Sequence, residues 1–124
     1  RVPDAGRFEL RLMDGSSNPY LLQAGIVAAG LHGLNNKINP GEALTCNMYT
    51  DYKNYPNLKK LPNEIEEALD FLQNSKELKE AFGDDVITSY IKLKNMEIKD
   101  FNKEEKFDKK SSVTHWEKNS TLDC

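Results

Sequence analysis

The 124-residue sequence carries 17 basic and 20 acidic side chains, a net charge of -3, and is 38% hydrophobic and 30% charged. That length fits one small domain or a piece of a larger one with a modest core. The charge supplies no global positive field to draw the chain to nucleic acid or to an anionic membrane surface, so neither partner is expected.

The opening residues, RVPDAGRFEL, contain neither an initiator Met nor the apolar core of a signal peptide, and are expected to start in mid-protein. Residues 7 to 13 then alternate strictly, with Phe8, Leu10 and Leu12 opposed to Glu9 and Arg11, which predicts a strand with one buried face. Gly15, Ser16 and Ser17, with Asp14 before them, supply turn chemistry. Asn18 is placed to cap a helix through its side-chain oxygen, and Pro19 stands at the first helical position, where a missing N–H costs nothing.

The helix that follows, YLLQAGIVAAGLHGL, falls short of a membrane span and is interrupted by Gln23 and His32. Its three glycines cost roughly 1 kcal/mol each relative to Ala, so packing has to offset them. Gly25, Ala29 and Gly33 recur every fourth residue, which predicts a flat stripe packed tightly in the core. Asn35, Asn36, Asn39, Pro40 and Gly41 end the helix, and residues 41 to 60, with Tyr49, Tyr52 and Tyr55, are expected to form an exposed loop.

Asn63 and Glu66 have capping-box spacing ahead of Ile65, Ala68, Leu69 and Leu72, which predicts an amphipathic helix. Ser75 to Gly83 is expected to form a short turn, after which Asp84 and Asp85 favour the N-terminus of a longer helix through its dipole. The buried stripe of that helix is expected to run through Val86, Ile87, Tyr90, Ile91, Leu93, Ile98 and Phe101. Residues 102 to 112 are rich in both signs of charge and read as a solvated helix end, and Trp116 is the one large apolar anchor of the tail. Cys46 and Cys124 lie far apart, with no Cys or His partner at metal-ligand spacing, so a reduced, cytoplasmic setting is the default. His32 and His115 have no carboxylate at catalytic spacing and read as structural.

Residues two apart on a strand point the same way, so Glu9 and Arg11 should project together from the face opposite Phe8, Leu10 and Leu12. Two readings are open. The pair is ordinary surface decoration, or the strand lines a site in which a carboxylate meets a hard cation and a guanidinium grips an anion at two points. The second arrangement suits phosphoryl transfer, where developing negative charge has to be neutralised.

The stretch RFELRLMDGSSNPYLLQAGIVAAGLHGLNNKINPG resembles the segment of glutamine synthetases in which a Glu-x-Arg strand runs into Asn-Pro-Tyr and a small-residue helix ending near Asn-Lys-Ile-x-Pro-Gly. LPNEIEEALDFLQNS and DDVITSYIKLKNMEIKDF are similar to the remainder of the same catalytic domain. The resemblance implies an α+β fold: residues 1 to 124 as the C-terminal portion of that domain, one strand or hairpin edge over about 7 to 13, then a helix-rich region, with the N-terminal portion absent. It implies ATP-dependent ligation of an amine to the side-chain carboxylate of glutamate, with Mg²⁺ or Mn²⁺ as metal, in a cytoplasmic, ring-shaped homo-oligomer.

Carried over by position, Glu9 matches a ligand of the metal that bridges to the ATP phosphates. Arg11 matches the arginine acting on the transferring phosphate or the glutamate carboxylate. Arg1, in Arg-Val-Pro, matches an arginine that binds ATP phosphates or stabilises the phosphoryl transition state. Tyr49, in Asn-Met-Tyr, lies close to where adenylylated members carry their modified tyrosine, but TDYKNYPN departs from that pattern and an ordinary loop tyrosine is expected. The tail THWEKNSTLDC is similar to the branch called type III glutamine synthetase or glutamate-methylamine ligase, which leaves ammonia and methylamine both open, because one methyl is discriminated by pocket lining. Most metal ligands lie outside these residues, so the isolated chain is expected to be inactive. The alternative is a stand-alone helical interaction or regulatory module derived from the same fold without catalysis.

Overall fold

A computed structural model describes residues 2–13, 15–104 and 113–120. They form six α-helices: α1 (Pro19–Asn35), α2 (Met48–Asp51), α3 (Ile65–Asn74), α4 (Lys76–Phe82), α5 (Asp84–Glu104) and α6 (His115–Ser120), with a 3-10 turn at Tyr52–Asn54. α1 packs on α4, while α3 and α4 pack on α5.

The start of α1 follows the sequence closely. Asn18 Oδ1 accepts the N–H groups of Tyr20 and Leu21 at 3.0 and 3.1 Å, and Pro19 opens the helix. The region from 41 to 60 is more structured than a loop, because Asn47 caps α2 through Tyr49 N–H at 3.1 Å and donates its own N–H to Asp51 at 3.2 Å. Tyr49 is fully open to solvent on that short helix.

The capping box expected at Asn63 and Glu66 is displaced by one residue. α3 has Glu64 at its N-cap with no side-chain cap bond, and it is Glu67 that reaches back to accept Asn63 N–H at 3.3 Å. Ser75 to Gly83 is a helix rather than a turn: the Ser75 hydroxyl accepts Leu78 N–H at 3.2 Å, and Gly83 closes α4 with φ 84, a backbone angle that costs glycine nothing. α5 begins at the next residue, and Lys79 pairs with Asp84 at 3.3 Å across the junction.

Leu69 of α3 and Ile87 of α5 are the only buried hydrophobic side chains among the described residues. The expected α5 stripe is half present: Tyr90, Ile91, Ile98 and Phe101 are half-buried, but Val86 and Leu93 face solvent. Lys94 takes the place of an apolar residue on the covered side, 2.7 Å from Glu97. Phe101 meets Trp116 edge to face, with centroids 5.5 Å apart, so α6 is anchored to α5 as the lone tail aromatic predicted.

Two further expectations are corrected. Residues 7 to 13 do not form a strand or hairpin edge, and the one bridge nearby, Asp4 with Arg7, is isolated. A strand requires the N–H and C=O groups of a neighbour, and no other described segment offers a ladder to this one. Its apolar side, with Phe8 66% and Leu12 59% exposed, is accordingly turned to solvent instead of to a core. The stripe of Gly25, Ala29 and Gly33 is not tightly packed either, since a Cβ built on Gly25 or Gly33 would meet nothing within 4 Å. The helix-rich character holds, with α1 lying against α4.

Candidate functional site

The segment that leads to the candidate site begins with a tight turn. Arg7 donates its N–H to Asp4 O at 3.3 Å, Gly6 takes φ 76, and the Arg7 and Asp4 side chains approach to 3.7 Å on the open surface. An exposed pair of this kind contributes little to stability. Beyond the turn, the alternation of the sequence places Glu9 and Arg11 together, and their side chains are joined: Arg11 Nε donates to Glu9 Oε1, and Nη2 lies against the same oxygen. Glu9 is half-buried and Arg11 largely exposed.

The two-residue stagger therefore brings one carboxylate and one guanidinium to the same side. This arrangement can present a hard oxygen donor to a cation and a planar five-donor fork to an oxyanion, provided the two groups separate from each other to do so. Among the described residues no group of three or more His, Cys, Asp or Glu side chains is placed to hold a metal ion. Glu9 fits a divalent cation in donor type, as a single ligand within a larger shell. Arg1 lies outside the described residues.

The histidines are engaged locally. Asn36 Nδ2 lies 3.2 Å from His32 Nδ1, and Asn119 Nδ2 lies 3.1 Å from His115 Nε2. The Glu77 carboxylate of α4 is held below its usual range by its own backbone N–H first and by the Ser75 hydroxyl second. Cys46 is a half-buried free thiol that donates to Met48 Sδ at 3.6 Å. Its hydrogen bond to Tyr55, followed by its charge, pushes that phenol above its ordinary value.

A polar pair passed over in the sequence is Thr114 with Glu117. The Thr114 hydroxyl accepts Glu117 N–H at 3.1 Å while Glu117 Oε2 accepts Thr114 N–H at 2.7 Å, a complete capping box at the start of α6. The signal was present as Thr-x-x-Glu in THWE. The Thr114 backbone N–H first, and then the Thr114 hydroxyl, which donates to Glu117 Oε2 at 2.8 Å, hold Glu117 below the ordinary carboxylate range.

Comparison with known proteins adds the wider context. The model of the family described as glutamine synthetase, catalytic domain, matches residues 1–117. Among curated relatives, a glutamine synthetase of Rhizobium meliloti is 43% identical over 99% of this chain and 26% of its own length. A gamma-glutamylethanolamide synthetase of Streptomyces coelicolor is 37% identical over 90% of this chain and 21% of its own. A glutamate–methylamine ligase of Methyloversatilis universalis is 34% identical over 95% of this chain and 25% of its own. The chain thus spans about a quarter of the length of the curated relatives it matches. No solved structure matches it significantly.

Proposed function

The chain belongs to the glutamine synthetase family, as a piece of the catalytic domain, and from that premise we propose that it is the C-terminal portion of an ATP-dependent ligase joining an amine to the side-chain carboxylate of glutamate. The observation that carries this reading is the match over residues 1–117 with Glu9 and Arg11 brought to one side of the backbone.

In the complete enzyme, the γ-phosphoryl group of ATP passes to a side-chain carboxylate oxygen of glutamate, giving an acyl phosphate and ADP. The amine then attacks the acyl carbon, the C–O bond to phosphate breaks, and the amine loses a proton. Glu9 contributes one carboxylate oxygen to the site of Mg²⁺ or Mn²⁺, and residues outside this chain complete that site. When bound, the cation neutralises charge on the ATP phosphates. Arg11 grips the transferring phosphate or the glutamate carboxylate with its fork, after leaving its partner Glu9. Arg1 contacts the ATP phosphates. The amine is ammonia or methylamine, and the complete enzyme acts as a cytoplasmic ring of identical subunits.

Glu9→Gln in the complete enzyme keeps the shape and removes the charge that a hard cation requires. Amide formation followed against Mg²⁺ concentration should fall about 100-fold or more, as when one charge-stabilising contact is removed from a transition state. Near-normal turnover at saturating Mg²⁺ would refute the assignment. Turnover of ammonia and methylamine measured side by side decides the acceptor.

A further inference from the structure

Phe71 is an aromatic side chain that the packing of α3 leaves unused. α3 meets α5 with Leu69 buried, whereas Phe71, two residues on and so nearly on the opposite side of the helix, is 63% exposed. At Ser75 the chain leaves α3 and enters α4: the Ser75 N–H donates to Leu72 O at 3.2 Å and its hydroxyl accepts Leu78 N–H at 3.2 Å, so one residue closes the first helix and caps the second. The bend leaves an open groove of about 550 Å³ between the two helices, with Ala68, Phe71, Leu72 and Leu78 as its apolar lining and Glu77 beside them. α3 carries Glu66, Glu67 and Asp70 and no Lys or Arg. Glu64 and Glu67 stand four residues before Ala68 and Phe71 and so share their flank of the helix. The lysines of α4 belong to a different hollow, which Lys76 and Lys79 line with Glu80 and Asp84, and Lys79 is paired with Asp84 at 3.3 Å.

We propose that the groove between α3 and α4 is a docking site for a basic amphipathic helix of a partner protein. The apolar lining, with one exposed aromatic, takes the i, i+3, i+4 side chains of an incoming helix, the mode in which helices seat in grooves. Glu64, Glu67 and Glu77 supply carboxylates for the Lys or Arg residues that border such a stripe. Charge complementarity selects this occupant. A second copy of the same groove would bring carboxylates against carboxylates, and like charges in contact oppose association. The docking site goes beyond the ligase reading and does not depend on it, because no residue of the groove has a role in that chemistry.

The test uses the complete polypeptide and, as probe, a fluorescein-labelled helical peptide with Leu on one face and Lys on the other, followed by anisotropy; a second peptide has Glu at every Lys position. The Lys peptide is expected to bind, more weakly as salt is raised, and the Glu peptide not to bind. Phe71→Ser changes no charge and should weaken the Lys peptide at least about tenfold, as loss of an aromatic anchor does. Glu67→Gln combined with Glu77→Gln should weaken it as well and flatten its salt dependence. Leu93→Ser, at a comparably exposed apolar position of α5 outside the groove, should leave binding unchanged. The proposal is overturned if the Lys peptide does not bind, if Phe71→Ser binds it as the wild type does, or if Leu93→Ser weakens it equally. Phe71→Cys, with the native cysteines replaced by serine, should react with maleimide in the native state about as fast as in denaturant. Native labelling slower by about tenfold or more means that the polypeptide itself or a second copy fills the groove, and also overturns the proposal. Circular dichroism checks the fold of each variant, and the paired Gln variant decides the matter should Phe71→Ser not fold.

Discussion

At the scale of single residues, the side chains that matter most are those that satisfy backbone groups or oppose a charge. Arg11 meets Glu9 through a planar fork, and that geometry distinguishes it from lysine. Arg11→Lys in the complete enzyme should therefore reduce kcat/KM for amide formation by about tenfold or more, since a point ammonium retains the charge and loses the second contact. Steady-state kinetics at saturating Mg²⁺ provide the measurement, and wild-type values would contradict the role. Ser75 works locally: its hydroxyl accepts Leu78 N–H and donates to Glu77 at 3.1 Å. Ser75→Ala should cost about 1 kcal/mol by loss of the cap. It should also let the Glu77 pKa rise towards its ordinary 4.5, read by carboxyl NMR titration. Because the folded value lies below the unfolded one, the stabilising contribution of Glu77 is present above pH 4.5 and is lost as pH falls through the folded value; Glu117 behaves in the same sense.

At the scale of elements, caps and junctions were legible where the signal is local. Asn18 and Pro19 start α1 as their chemistry requires, and Gly83 closes α4. The box at Asn63 shifted because several polar residues near a helix start compete for the same few N–H groups, and a one-residue change of phase decides which of them reaches, whereas the box at Thr114 formed at the regular Thr-x-x-Glu spacing. Docking of α6 depends on Trp116 against Phe101, 5.5 Å apart. Trp116→Ala removes that contact, which is worth about 0.5–1.5 kcal/mol beyond the area buried. Hydrogen exchange should show the α6 amides losing protection while those around Ile87 keep theirs; uniform loss would mean that α6 is not a separate unit.

At the scale of the molecule, the chain exposes 11229 Å². A compact domain of 14.1 kDa exposes about 6,700 Å². Among the exposed side chains are Phe8, Leu12, Val27 and Leu34, which a self-sufficient domain would cover. The isolated 124-residue chain should bind a hydrophobic dye such as ANS, unfold with low cooperativity and form no detectable γ-glutamyl amide from ATP, glutamate and either amine. Amide formation by this chain alone would overturn the view that its site is incomplete.

The sequence by itself determined α1, α3 and α5, because their caps and periodicities act within a few residues, whereas α2 and α4 read as a loop and a turn; it also set Glu9 and Arg11 two residues apart, near enough for their side chains to meet. It also carried the family in residues 1 to 41, through a run specific enough to be matched without coordinates. Only the tertiary structure decided that residues 7 to 13 join no strand ladder, that the glycine stripe of α1 has open space before it, and that the core among the described residues is confined to Leu69 and Ile87. Each of these depends on what lies opposite in space, and alternation or spacing along the chain records which side is apolar without recording whether anything covers it.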